Sequence, residues 1–279
     1  MKRQTAAEMR KIAKTAVMAL LALLMLAPFF WMISASLKRA PDVFAFPIQW
    51  IPGDPQYQNY WKVWTDAYNP FYVFYWNSVK VTVLSLLGKL IVSSLAAYAF
   101  ARIEFRGKNV LFLLYLSTMM IPHHVTLVPK FVLFHWLGLY NTHLALIIPG
   151  TFNIIGIFLL RQFFMGIPKE LTEAAKIDGA GHFTIYARMI MPLSTSALVS
   201  LTILVFVSNW NDYINPLIFL TSKSLFTIPI GLQTFLGLDL VQYNLLMSGA
   251  SIAILPVIIV FLIFQRYFIE GIAVSGIKG

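Results

Sequence analysis

The sequence has no cysteine in its 279 residues. That excludes disulfides, thiolate metal sites and lipid attachment at cysteine. Charge is also scarce. Asp, Glu, Lys and Arg together make up 11% of the chain, against about 25% in soluble domains. Hydrophobic residues make up 59%, and the mean hydropathy is +0.75. A chain of this length could build one or two domains, but so thin a polar coating would not keep them in water. A soluble enzyme, a DNA-binding domain and a disordered protein are excluded, and the bilayer is the solvent that fits. Acids are outnumbered by bases, 11 to 21, for a net charge of +10. The bases form no nucleic-acid patch. Lys2, Arg3, Arg10, Lys11 and Lys14 precede the first apolar run, and most others sit in short connections between runs. That is the pattern that orients membrane helices. The first run lacks a small-residue cleavage site and reads as a retained helix.

A span needs about 20 apolar residues, and charge-free runs predict six. These are Thr15–Ser36, about Trp76–Ala101, Asn109–Pro129, a run within Phe131–Leu160 that starts near His143, about Pro192–Asn211, and a run within Leu240–Gln265. Pro122, Pro149 and Pro256 are expected to kink helices. Six spans put both termini on one side. With that side inner, 14 of the 21 bases lie in inner segments and 5 in outer ones, with Lys80 and Lys89 inside span two. The bias places both termini in the cytoplasm. Two outer segments are long. Leu37–Tyr75 is rich in Trp, Tyr and Pro, and reads either as an aromatic belt at the lipid interface or as a docking surface for an external partner. The other is Leu220–Asn244.

The inner connection Arg161–Met191 has about thirty residues where a turn needs only a few. Pro168 suits the first position of a helix and Gly179 the residue past its end, so Lys169–Asp178 is predicted helical, about 15 Å long. Leu171, Ala174, Ala175 and Asp178 share one face, and Lys169 and Glu173 stand four apart. A second short helix is expected over Phe183–Ile190. Composition alone gives an interfacial amphipathic helix. The residues say more. Glu173-Ala174-Ala175, Gly179 and Pro192 resemble the EAA loop of binding-protein-dependent ABC importer permeases. Met189 and Met191 stand where that loop usually has Ile and Leu. Asp178-Gly179-Ala180 strengthens the match. Leu137-Gly138-Leu139-Tyr140-Asn141-Thr142, Trp210-Asn211-Asp212 with Pro216-Leu217, Gln265-Arg266-Tyr267-Phe268 and the terminal Lys278-Gly279 resemble stretches of sugar-importer permeases. Together they resemble the maltose-type carbohydrate family, on the side of its MalG-like subunit.

The resemblance implies an all-α polytopic membrane protein with six transmembrane helices and the type I ABC importer permease fold. It would have an N-terminal part at 1–72, a permease core at 73–265 with the EAA loop at 168–192, and a cytoplasmic tail at 266–279. It implies that Glu170, Leu171, Glu173, Ala174, Ala175, Asp178 and Gly179 form a coupling helix seated in a cytoplasmic ATPase. Gly231, Leu232 and Gln233 would belong to a loop reaching into an extracytoplasmic solute-binding protein. The implied partners are a second permease subunit, two ATPase subunits, the binding protein, a sugar substrate and the lipid bilayer. No nucleic acid is expected. No G-x-x-x-x-G-K-[ST] loop occurs, so no cofactor is expected in this chain, and ATP and Mg would be bound by the ATPase.

Several polar residues lie in or near the spans. Lys89 is 13 positions before Arg102, about 20 Å into the bilayer. It either snorkels to the outer interface or lines a wet pathway or subunit contact. The same arithmetic puts Asp212 more than about 10 Å from it in depth. Asn209, Asn211, Asp212 and Asn215, with Trp210 and Tyr213, either cap and anchor span five or offer amides, a carboxylate and rings to a sugar. His123, His124, His135, His143 and His182 lack a metal-site pattern. An ion-coupled secondary transporter is the alternative. It would need buried ionisable groups along a pathway, and only Lys89 qualifies. An intramembrane enzyme lacks G-x-S-x-G, a zinc motif and paired acids.

Overall fold

The computed structural model describes residues 2–237 and 242–276, with side chains for 8–237 and 242–266. Of the proposed tail, the backbone to Gly276 continues the last helix, while Lys278 and Gly279 lie outside this description, as do Leu240 and Val241. Among the described residues every regular element is helical: α1 (Lys2–Ser36), α2 (Gln58–Thr65), α3 (Phe71–Arg102), α4 (Lys108–Ser117), α5 (His123–Trp136), α6 (Leu144–Gly150), α7 (Ile154–Gly166), α8 (Lys169–Ile177), α9 (His182–Leu193), α10 (Thr195–Trp210), α11 (Ile214–Phe219), α12 (Ile228–Thr234) and α13 (Tyr243–Gly276). Four stretches are long and apolar enough to cross a membrane: Glu8–Ser36, Phe71–Arg102, Leu144–Gly166 and Tyr243–Arg266. Two further pairs qualify as broken spans, α4 with α5 bent by 97° and α9 with α10 bent by 77°.

Two expected spans therefore change shape. The run Asn109–Pro129 is not one rod. It breaks at Ile121-Pro122, where a single 3-10 turn ends and Pro122 precedes α5. Proline disfavours helical geometry in the residue before it, and Ile121 is extended (ψ 115°). Pro149 falls one residue before α6 ends, whereas Pro256 sits inside unbroken α13. Asn153 restarts the chain as α7, its Oδ1 accepting the Gly156 N–H at 2.6 Å. The fifth span begins at Thr195, beyond the bend at Ser194.

The chain divides into two compact units. One holds residues 1–72 and 231–254. Here the Asn59 amide donates to the Ser36 and Lys38 carbonyls at 2.8 and 2.9 Å, and the Ser248 hydroxyl is shared between the Asn244 carbonyl of its own helix at 2.8 Å and the same Ser36 carbonyl at 3.1 Å. The most apolar window of α1 has no residue buried within the chain. Trp50, Tyr57, Trp61 and Tyr68 stay exposed, as both readings of the outer segment require.

The other unit holds residues 73–230 and 255–279. Its main core joins α3, α7, α9 and α10 through Ala97, Tyr98, Leu160, Phe164, Ile185 and Leu201. A second cluster joins α3, α5, α6 and α11 through Val81, Phe134, Leu146 and Phe219. Lipid-exposed helices gain little from burying apolar area, so small residues bring the backbones together. Ser85 meets Gly150, Gly88 meets Thr151, and Ser93 meets Gly156.

Candidate functional site: an exposed helix and a buried lysine

The segment between α7 and α10 forms a rigid projection. Helix α8 starts one residue after Pro168, which is the cap rather than the first helical residue. It ends in a Schellman turn. The Gly179 N–H donates to the Lys176 carbonyl (3.0 Å) and the Ala180 N–H to the Ala175 carbonyl (2.9 Å), with Gly179 at φ +81°. An L side chain resists that φ, so glycine here sets the stop. Helix α9 follows at once and contains a π turn over Tyr186–Ile190 just before Pro192. Pro192 has no N–H, which denies the Arg188 carbonyl its helical donor, and a widened turn suits that gap. The predicted Phe183–Ile190 helix thus runs longer, to Leu193.

The faces of α8 differ from the sequence expectation in one respect. Thr172 is buried, and Ala175 packs against the core that contains Phe164 and Ile185. Ala175 therefore turns inward, while Glu170, Leu171, Glu173, Ala174 and Asp178 are exposed. Ile177, which the sequence did not single out, is 86% exposed, and nearby Phe183 is 74% exposed. The missed signal was position: Glu170, Glu173, Ala174 and Ile177 recur at helical spacing on one stripe. Lys169 and Glu173 are both exposed and do not pair with each other.

Lys89 does not snorkel. It is 8% exposed, and its Nζ donates to Asn209 Oδ1 at 2.9 Å. No hydrogen bond joins it to Asp212, yet the two line the same cavity and interact electrostatically, nearer than the depth arithmetic expected. This cavity, about 400 Å³, is lined by Lys89, His123, Lys130, Asn209, Asp212 and Asn215 among others. Lys130 was expected in an outer connection. It sits instead within α5, donating to Asn215 Oδ1 at 3.2 Å and lying over the Phe219 ring at 5.1 Å. The Asn215 amide donates to Asp212 at 2.9 Å. Asn211 stays outside the group, exposed and bonded to the Val207 carbonyl of its own helix, which is the capping role. Trp210 is buried between Phe206 and Tyr75 and offers no free ring face.

Asn141 takes φ +56° and pins the chain ahead of α12. Its Oδ1 accepts the Thr221 and Ser222 N–H groups, and its amide donates to Ser222 Oγ. That gives the Leu137–Thr142 stretch a physical role. Gly231 and Leu232 lie in α12, buried and half-buried, and only Gln233 of the three named there is exposed.

Residues 89–274 match the family model described as "Binding-protein-dependent transport system inner membrane component". The chain is 35% identical over 263 residues to the arabinooligosaccharides transport system permease AraQ of Halalkalibacterium halodurans, covering 94% of each. It is 32% identical to the trehalose/maltose transport system permease MalG of Thermococcus litoralis, covering 93% of this chain and 94% of that one. A chain from the crystal structure of a bacterial ABC transporter that imports the acidic polysaccharide alginate superposes with a TM-score of 0.83. It is 25% identical, and the match covers 94% of this chain and 98% of that one.

Proposed function

Because the chain belongs to the binding-protein-dependent ABC permeases, a family of transport subunits rather than enzymes, we propose that it moves a sugar or oligosaccharide into the cytoplasm. Membership sets aside the ion-coupled alternative. The relatives named above handle arabinooligosaccharides and trehalose or maltose, and that is the support for a saccharide substrate. The observation that carries the mechanism is α8, an exposed acidic and apolar stripe on a helix whose other side is packed into the spans.

In this reading α8 docks into an ATPase subunit through Glu170, Leu171, Glu173, Ala174, Ile177 and Asp178. Ala175 and Gly179 act from behind, as packing and as the turn. Closure of two ATPase subunits on ATP and Mg moves α8, and the inward contacts of Thr172 and Ala175 carry the movement to α7 and α10. The chain itself needs no cofactor. A second permease subunit encloses the pathway with it, and the binding protein docks on the outer face, where Gln233 and the exposed aromatics of residues 50–68 are available. Lys89, Asn209 and Asp212, joined by Lys130 and Asn215, form a polar patch facing that pathway.

Orientation is tested first. The bias of basic residues supports a cytoplasmic position for Arg161–Met191 and both termini. Single cysteines at Lys176 and Gln56 are expected to label from opposite sides, with Gln56 alone reacting with an impermeant reagent in intact cells. Labelling of both from outside would invert or break the topology. Activity is tested by reconstitution. The purified chain is expected to hydrolyse no ATP. The assembly with ATPase and partner permease is expected to do so, faster with sugar-loaded binding protein. Stimulation that ignores the loaded sugar would reject the substrate class, and hydrolysis by this chain alone would reject the division of labour.

A further inference from the structure

A second cavity, about 520 Å³, opens where α3 ends, α4 begins and α7 passes into α8. Its size falls in the range of small-ligand sites, about 300–1,000 Å³. Four cations line it, from four separate stretches: Arg102, Lys108, Arg161 and Lys169. The one acid among them, Glu104, is already paired with Lys108 at 3.2 Å. Arg102 is 9% exposed. One of its terminal nitrogens bridges the Phe164 and Ile167 carbonyls, both at 2.6 Å, and its Nε has no partner among the described residues. Arg161 lies over the Phe112 ring, its Cζ 4.0 Å from the centroid, and its Nε donates to the Phe100 carbonyl. Both guanidiniums are thus fixed by neutral groups, with their charge left unmatched.

The backbone adds to this. The first turn of α4, Gly107 to Val110, also lines the cavity, and no side chain caps it. Gly107 sits at φ +82°, which aims the chain into the helix without a capping residue. An uncapped helix start carries free N–H groups and the positive end of the helix dipole. Four converging cations and an open helix start are the elements of a phosphate site.

We propose that this cavity binds a phosphate group, and that an anionic phospholipid of the inner leaflet supplies it. Basic pockets between spans on the cytoplasmic side suit anionic headgroups. Lys169 is the first residue of α8, so the bound phosphate would tie the proposed coupling helix to the loop between α3 and α4. The lipid source rests on the orientation proposed above. Cysteine labelling decides that orientation separately, so a correctly oriented permease that ignored phosphate would lose this inference alone.

The test uses the assembled transporter in phosphatidylcholine nanodiscs with or without phosphatidylglycerol, analysed by native mass spectrometry. The wild type is expected to retain one phosphatidylglycerol per copy of this chain. Lys169→Gln and Arg161→Gln are each expected to weaken retention about fivefold, and the double variant about 25-fold. Arg188→Gln, a basic change outside the cavity, should retain lipid as the wild type does and so guards against general charge effects. Lys169 is exposed, so its variant remains informative if the Arg161 variant fails to fold. Hydrogen exchange at the 107–110 amides separates the sources. Protection by phosphatidylglycerol but not by inorganic phosphate assigns the site to lipid. Protection by inorganic phosphate alone keeps the phosphate site and overturns its lipid source. Equal lipid retention by wild type and double variant, with no protection by either probe, overturns the site.

Discussion

Gly88→Val is expected to remove the folded permease from the membrane. A Cβ at Gly88 would clash with Thr151 Cγ2 and stand 3.1 Å from Thr151 Cβ, so even alanine cannot enter without displacing something. Thr151 is β-branched and short, and its hydroxyl donates to the Ile148 carbonyl at 2.7 Å, so it has little room to yield. Valine adds two further methyls to that contact. Overpacking costs about 1–3 kcal/mol in a typical core, and here it strikes the seam that also holds Ser85 to Gly150 and Ser93 to Gly156. Forcing the seam apart would forfeit all three close approaches. Fluorescence-detected gel filtration of a tagged chain should show the monodisperse peak lost. Thr151→Gly removes both clashing atoms, so the double variant Gly88→Ala with Thr151→Gly should recover most of it. A stable, monodisperse Gly88→Val protein would show that the two helices do not approach as described.

Ile177→Asp and Glu173→Lys should leave the permease folded and inserted but unable to transport. Ile177 is 86% exposed and Glu173 is exposed too, so neither change disturbs packing within the chain. Burying an isoleucine in a partner's cleft is worth about 1.5–3 kcal/mol, so Ile177→Asp should weaken ATPase association at least about tenfold. Reversing the charge at Glu173 would set a cation where the cleft is expected to receive an acid. Co-purification of the ATPase and uptake of labelled sugar are the two readings. An interfacial helix with no coupling role predicts normal values for both, and that result would end the coupling assignment. Ala175→Trp would not serve here, because it strikes the chain's own core and fails whether or not α8 couples.

Charge-free runs made four spans legible, the fourth, expected from near His143, lying at Leu144–Gly166. The first, second and last stretches appear as continuous helices close to where the runs lie. The third and fifth were not readable as rods, because hydropathy registers composition and not direction. At Pro122 and Ser194 the chain stays apolar on both sides while its axis turns. The stop of α8 was legible because glycine past a helix end has a local cause. The direction of Ala175 was not, because the core that receives it comes from residues such as Phe164 and Ile185, and no local period says which stripe of a short helix will meet them. Lys89 is the intermediate case. Rise per residue set Asp212 farther from it than their shared cavity allows, and it took the packing of α3 against α10 to bring Asn209 within 2.9 Å.

The clasp at the C-terminal end of α1 has a consequence for how the protein is made. The most apolar window of α1 has no buried residue, so most of it can settle in lipid as soon as it leaves the ribosome. Its last residues cannot, since the Ser36 and Lys38 carbonyls find their donors further along the chain. Asn59 arrives 23 residues after Ser36 and supplies a provisional closure. Ser248 comes 212 residues after Ser36, once all but the last helix has been synthesised. Assembly of this corner is therefore staged by synthesis order: an early local lock holds the first helix upright, and the final helix sets the bolt.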